Sequence, residues 1–181
     1  MKIKLFEEIP CLESDRLKIR RLDHEDIPSL KELIENDKVY RYLPTFLFEK
    51  QFDDLKEMID RLYSDYFDSK ESIILGIYPK EENRLCGLAE FYGFKDHVHK
   101  ISVGYRLLER YWGKEIATQT VSMMVDYLYQ KTDIEIITAS TMIENIASAH
   151  VLEKNDFLKV VSAVEEDWGY DKPTIVDKWI R

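Results

Sequence analysis

The stretch "ISVGYRLLERYWGKEIATQTV", Ile101–Val121, decides how this chain is read. Its first part ends the strand-like run "VHKISVGYRL". Its last part opens a helical run, "KEIATQTVSMMVDYLYQK", in which Ile116, Val121, Met124, Val125 and Leu128 line one side. Between the two stand Tyr111, Trp112 and Gly113, in a chain with only 6 glycines. A strand, a loop and a helix start in that order make an anion site. About four backbone N–H groups at a helix N-terminus lack internal partners, and the dipole end there is positive. Gly113 lets the backbone turn tightly and approach a phosphate, and Lys114 adds positive charge. The chemistry alone leaves an equal alternative, a capped loop in which Gly113 only eases a turn.

Upstream, "RLKIRRL" (16–22) alternates as a first strand. "DIPSLKELIEND" follows as a helix capped by Asp26, with Pro28 in its first turn and Ile27, Leu30 and Ile34 on one face. "KQFDDLKEMIDRLYSDYF" (50–67) spaces Phe52, Leu55, Ile59, Leu62 and Tyr66 as a second helix. The period then changes. "SIILGIYP", "LCGLAEFYGF" and "VHKISVGYRL" read as an antiparallel meander. Downstream, "IEIITAS" is a strand, "IASAHVLEKN" a short helix, and "FLKVVSAVEE" and "TIVDKWI" a closing strand pair joined by "DWGYDKP". The strands ending near Arg106 and starting near Ile134 are linked by a helix, so they run parallel through a right-handed crossover. A ligand in such a unit sits beyond the first strand's carboxyl end, at "ERYWGKEIA".

The 181 residues suit one domain, 1–181, with no repeat, low-complexity tract or linker. A net charge of -9 disfavours nucleic acid as a partner and weakly favours a cationic substrate. The 2 cysteines, Cys11 and Cys86, lack metal spacing and point to a reduced, cytoplasmic protein. "MKIKLFEEIP" lacks the apolar run of a signal peptide, and no stretch approaches the roughly 20 apolar residues that cross a bilayer. The expected partners therefore include no nucleic acid and no membrane.

Two blocks carry a family resemblance. "ISVGYRLLERYWGKEIATQTV" resembles the acetyl-CoA loop of the GCN5-related N-acetyltransferases, Gln/Arg-x-x-Gly-x-Gly/Ala, with Arg110, Gly113 and Glu115 at its fixed places. "ENIASAHVLEKNDF" is similar to that family's Asn-x-x-Ser-x-x-Val-Leu-Glu-Lys-x-Gly-Phe helix, matched at Asn145, Ser148, Lys154 and Phe157. The opening "LESDRLKIRRLDHEDIPSL" is similar to the branch that acetylates ribosomal-protein N-termini and related amines, the RimJ/RimL-like branch. The resemblance implies a mixed α/β fold: a mostly antiparallel sheet of about seven strands with one splayed parallel pair, flanked by about four helices. It implies acetyl-CoA as cofactor, CoA as product, and no metal. Arg110, Tyr111, Trp112 and Gly113, then Lys114, Glu115, Ile116 and Ala117, would hold the pyrophosphate through the main chain. A bulged strand around Val103 and Tyr105 would pair with the pantetheine arm. Asn145 and Ser148 would meet the pantetheine and thioester end, with Lys154 on the same helix.

Two positions depart from the pattern. Glu115 stands where glycine or alanine is usual, and Asp156 where glycine is usual. An inward Glu115 carboxylate would repel a diphosphate; an outward one leaves its N–H free to donate, and the outward pose is expected. Asp156 tolerates the left-handed backbone.

Acetyl transfer needs a proton taken from the amine and one given to the leaving thiol. Many family members carry a tyrosine acid where this chain has Leu152, which leaves Ser148 as the nearest polar substitute or as a plain surface hydroxyl. Glu90 in "GLAEFYGF" is the candidate base, directly or through water, or else a strand residue bonded to a neighbour. Tyr42, Phe46 and Phe48 lie in the loop that shapes the family's acceptor pocket. His97 and His99 lack a third metal ligand and read as a hairpin turn, His150 as an exposed helix residue, and Cys86 as core. The expected function is direct acetyl transfer to a primary amine, a peptide N-terminus or a small molecule, by a monomer or homodimer. The alternative is a catalytically weak acyl-CoA-binding sensor.

Overall fold

A computed structural model describes residues 2–181. In chain order it has β1 (Leu12–Glu13), β2 (Leu17–Arg20), α1 (Ile27–Ile34), α2 (Asp37–Tyr40), α3 (Leu55–Leu62), α4 (Asp65–Asp68) and β3 (Ser72–Pro79). Then come β4 (Gly87–Lys95), β5 (Lys100–Leu107), α5 (Ile116–Lys131), β6 (Ile136–Met142), α6 (Ile146–Lys154), β7 (Leu158–Glu166) and β8 (Thr174–Ile180). The strands form one 8-stranded sheet in the order β1-β2-β3-β4-β5-β6-β8-β7. Neighbours run antiparallel except β5 and β6. The strand beyond the expected seven is β1, whose 2 residues are too short for a period to show. β3 is buried from Ser72 to Tyr78, so its near-continuous apolar run reflects cover on both faces. α5 buries Ile116, Val121, Met124, Val125 and Leu128, the side read from its spacing.

The pair β5 and β6 decides the shape of the site. Their ladder runs only from Lys100↔Ile136 to Ser102↔Thr138, where the two hydroxyls hydrogen-bond at 2.8 Å. Beyond that rung β5 follows β4 as far as Leu107, and β6 follows β8 as far as Met142↔Val176. Each strand keeps its antiparallel partner, and the accumulated twist of the sheet drives the two apart. The bulge expected at Val103 and Tyr105 is not there: Phe91↔Val103, Glu90↔Gly104 and Ala89↔Tyr105 pair in unbroken register. The register shift lies between Tyr92 and Lys95, where Gly93 takes a φ of 64°.

Two local expectations are corrected. The helix expected over 50–67 is interrupted. Phe48–Gln51 is a 3-10 turn, and α3 stops at Leu62. Tyr63 is tied into the sheet, its hydroxyl accepting from Leu22 N at 2.8 Å and donating to Ile74 O at 2.7 Å. Ser64 Oγ then donates back to Asp60 O at 2.8 Å, a local bond that competes with the helix. Asp26 does not cap α1 with its side chain. Asp23 caps the 3-10 turn His24–Asp26 that leads into α1. The buried Asp26 carboxylate instead accepts from Asp23 N at 2.9 Å and Tyr78 Oη at 2.6 Å. It thereby joins the start of α1 to β3.

Asp26→Ala removes that acceptor and leaves the buried Tyr78 hydroxyl and Asp23 N–H unpaired. The expected loss is about 2–3 kcal/mol of unfolding free energy. Urea denaturation followed by circular dichroism measures it, and a loss below about 0.5 kcal/mol would refute the assigned role.

Candidate active site

The loop from Glu109 to Glu115 is held by side chains that point away from its backbone. Glu109 accepts from Asn36 Nδ2 at 3.2 Å and Lys38 Nζ at 3.1 Å. The Arg110 guanidinium pairs with Glu32 of α1. Tyr111 Oη donates to Glu82 at 2.5 Å, and Trp112 Nε1 to Leu107 O at 2.9 Å. Gly113 then turns at φ 68°, with open space where a Cβ would stand, so conformation rather than crowding requires glycine there. Glu115 precedes α5 in the left-handed region, φ 64° and ψ 7°, which explains why a glycine suits that place too. Its side chain is exposed and bonds Lys154 Nζ at 2.8 Å. That bond and the lysine's charge hold the Glu115 carboxyl below its ordinary range. α5 has no side-chain cap. Among the described residues, no backbone or side-chain acceptor takes the N–H groups of Gly113 through Thr118. A row of free donors at a helix N-terminus fits a phosphate-bearing ligand.

The opening between β5 and β6 adjoins this loop. The edge of Val103–Leu107 that turned toward β6 has no strand beside it. Asn145 caps α6 at the far side, Oδ1 accepting from Ser148 N at 3.2 Å. Ser148 Oγ lies 3.4 Å from Tyr105 Oη, and burial pushes the Tyr105 hydroxyl above its ordinary range. Leu152 is buried in the core, 3% exposed. Asn155 Nδ2 donates to Thr118 O at 3.2 Å and Val151 O at 2.9 Å, docking α6 on the start of α5. Asp156 turns out of α6 at φ 60°, the left-handed backbone that glycine usually supplies.

These parts line one cavity of about 1360 Å³, above the 300–1,000 Å³ that suits one small ligand. Gly113 to Thr118, Asn145, Ser148 and Lys154 line one end. Tyr42, Phe46, Phe48, Glu90, Tyr92 and Trp168 line the other. The structure thus brings Val103, Tyr105, Tyr111–Ala117, Asn145, Ser148, Lys154 and Glu90 to one cavity. Arg110 stands outside that lining, on Glu32. His97 and His99 stand apart at the β4–β5 turn, with His99 at φ 48°, and His150 is exposed beside Glu153. Burial pushes the Cys86 thiol up to about 12.

Glu90 is not a lone carboxylate. Its Oε1 accepts from Ser72 Oγ at 2.6 Å and its Oε2 from Arg106 Nη1 at 2.8 Å. Arg106 Nε stands 2.5 Å from Glu49 Oε1 as an ion pair rather than an aligned hydrogen bond, and Tyr40 Oη donates to Glu49 at 2.9 Å. Burial opposes the Arg106 charge, but Glu49 and Glu90 more than offset it and keep the guanidinium ionised. Sequence reasoning missed Arg106, Glu49, Tyr40 and the Tyr105 hydroxyl. The available signal was a cation inside the apolar run "VGYRLL" and an acid between aromatics in "FLFEKQF".

The family model described as "Acetyltransferase (GNAT) domain" matches residues 16–158. The chain is 24% identical over 152 residues to the uncharacterized N-acetyltransferase YoaA of Bacillus subtilis (strain 168), covering 83% of this chain and 84% of that one. Among solved structures, the RimL ribosomal L7/L12 alpha-N-protein acetyltransferase in complex with coenzyme A superposes with a TM-score of 0.78 at 18% identity. That match covers 95% of this chain and 97% of the other. The Vibrio cholerae spermidine N-acetyltransferase in complex with CoA and spermine gives 0.75 at 18% identity, over 93% of this chain and 96% of that one.

Three variants test this geometry by stability. Glu115→Gly removes left-handed strain, whereas Glu115→Val places a β-branched residue at φ 64°. The glycine variant should be more stable than the valine variant by about 2 kcal/mol in urea melts; equal stability would contradict the assigned backbone. Arg106→Met leaves two buried carboxylates without a cation and should cost about 3–5 kcal/mol by the same measurement.

Proposed function

We propose a reaction from one premise: the chain belongs to the GNAT acetyltransferase family. It is an N-acetyltransferase, and the proposed reaction is direct acetyl transfer from acetyl-CoA to a primary amine in a ternary complex. The acceptor is a protein N-terminus or a small amine, as in the RimL-like branch. The observation that carries the reading is the row of unpartnered N–H groups from Gly113 to Thr118 beside the gap between β5 and β6.

Those N–H groups would hold the pyrophosphate, helped by the dipole end of α5. The free edge of Val103–Tyr105 would hold the pantetheine, with Asn145 Nδ2 available opposite. Bound there, acetyl-CoA supplies an activated acetyl group. The cavity keeps water from the reacting end with its aromatic wall. Glu90, fixed by Ser72 and Arg106, draws the acceptor's ammonium and takes its proton, directly or through water. Ser148 Oγ gives a proton at the opposite side. Tyr105 Oη stands behind it as a second hydroxyl that stays protonated at neutral pH. Lys154 holds Glu115 outward and so keeps a carboxylate off the anion site. That pose removes one support for a sensor that binds acyl-CoA without turning it over. Leu152 in place of a tyrosine is the remaining support, and Ser148 answers it. No helix among the described residues is long and apolar enough to cross a membrane. The free thiols of Cys11 and Cys86 favour the cytoplasm.

Calorimetric titration with acetyl-CoA should show binding that Gly113→Val weakens at least about a hundredfold, with the circular dichroism spectrum retained. Glu115→Gly and Glu115→Gln should each stay within about threefold of the parent. An unaffected Gly113→Val would overturn the loop assignment, and a hundredfold gain in both Glu115 variants would revive the sensor. In a thiol-release assay, Ser148→Ala should lower kcat about a hundredfold while acetyl-CoA affinity holds. An unchanged kcat would remove Ser148 from the chemistry.

A further inference from the structure

The charges beneath the acceptor end of the cavity do not balance. Glu49 and Glu90 share one cation, Arg106, and the three side chains are 1%, 11% and 2% exposed. Glu49 Oε2 finds no donor among the described residues. Tyr40 and Ser72 add neutral hydroxyl donors only. Two carboxylates meet one guanidinium where little water can screen them. Glu90 and Arg106 line the cavity and Glu49 does not, and the carboxylates of Glu71 and Asp167 line it as well. Other cations at this end are engaged elsewhere: Lys178 pairs with Glu166, Lys38 with Glu109, and Arg41 lies over the Tyr42 ring.

The walls around Glu90 are rings. Phe48 and Tyr66 stack with centroids 4.0 Å apart, Tyr92 is half-buried beside Glu90, and Trp168 closes the side. Burial and then the Glu90 charge push the Tyr66 hydroxyl up to about 12, so it stays neutral. Phe46 is 54% exposed although it lines the cavity. The loops carrying Phe46 and Trp168 are tied together. Thr45 N and Oγ1 both donate to Trp168 O, at 2.8 and 3.1 Å, and Tyr170 Oη donates to Leu43 O at 2.7 Å. They make one continuous wall. The strands below it are paired to one another at Ser72, Tyr92 and Ser102.

We infer that the acceptor is a small amine whose ammonium is carried on an aromatic or bulky apolar body. The ammonium faces Glu90. The body packs on Phe46, Tyr92 and Trp168, where ring faces favour both apolar contact and a neighbouring cation. In the reaction the acceptor nitrogen forms the C–N bond as the thioester C–S bond breaks. Of the two protons the ammonium loses, one ends on sulfur and one leaves to solvent through Glu90. The products are an N-substituted acetamide and a free thiol.

This rests on the acetyltransferase reading, and two assays separate the failures. Thiol release is measured for 2-phenylethylamine, ethylamine, spermidine and a tetrapeptide with a free N-terminus. The kcat/KM for 2-phenylethylamine should exceed each of the others by about tenfold or more. Calorimetry on the CoA-loaded chain ranks the same amines and 2-phenylethanol, which keeps the ring and lacks the charge. 2-Phenylethylamine should bind tightest, about tenfold over the alcohol. Glu90→Gln should erase the advantage of amine over alcohol, and the exposed Phe46→Ala, which leaves the buried pairs intact, should narrow that of phenylethylamine over ethylamine. Spermidine or the tetrapeptide leading both series would overturn the inference and leave acetyl transfer standing. Thiol release with none of the amines would overturn the acetyltransferase reading, while the calorimetric ranking would still decide the acceptor class.

Discussion

Three parallel rungs, Lys100–Ser102 against Ile136–Thr138, are all that join β5 to β6, and the rest of the site follows from their shortness. Had the ladder continued, β5 would have spent its backbone donors and acceptors on β6, leaving no gap. Instead β5 stays with β4 and β6 with β8. The sheet is one continuous hydrogen-bonded layer at its base and two diverging layers above Ser102 and Thr138. α5 leaves β5 on one side of that fork and α6 follows β6 on the other, so both helix N-termini arrive beside the same opening. This is the geometry by which an open α/β crossover collects a ligand at the carboxyl end of its strands.

The loop between β5 and α5 reaches its shape by turning its side chains outward. Glu109, Arg110 and Tyr111 each grip a different part of the scaffold: the start of α2, α1, and the turn after β3. What remains on the inner side is backbone. The loop therefore tolerates an unusual residue at 115 provided the side chain has somewhere to go, and Lys154 provides that place. The strain of a left-handed glutamate is of order 1 kcal/mol, small against the several kcal/mol that a carboxylate turned toward a diphosphate would cost.

The opposite end of the cavity is built on charge rather than backbone. Arg106 sits in an apolar strand because two carboxylates, on β4 and on the turn before α3, converge on it. Such a cluster gives little net stability compared with an apolar core, since desolvation consumes much of the Coulombic gain. Its effect is positional: it holds Glu90 at one place. The proposed proton transfers ask for that kind of fixed polarity.

Much of this was legible in the residues themselves. Period and turn chemistry located the strands and helices, the β5–α5–β6 crossover, and the buried side of α5, because each of those depends on local pattern. Gly113 before a helix pointed to an anion site for the same reason, with a plain turn as the equal alternative. Other features were not legible. The apparent helix over 50–67 breaks because Tyr63 is drawn into a bond with Ile74 of β3, and Asp26 gives up its cap for Tyr78. Glu90 reads as an isolated acid until Glu49, Arg106 and Ser72, as far apart in the chain as 49 and 106, meet beside it. The sequence by itself determined seven of the eight strands, the helix start that follows Gly113, and which family the chain resembles, since those rest on spacing along the chain. Only the tertiary structure decided where β5 parts from β6, which way Glu115 points and which charges share Arg106. Those depend on groups distant in the chain coming within hydrogen-bonding range, and no local period records that.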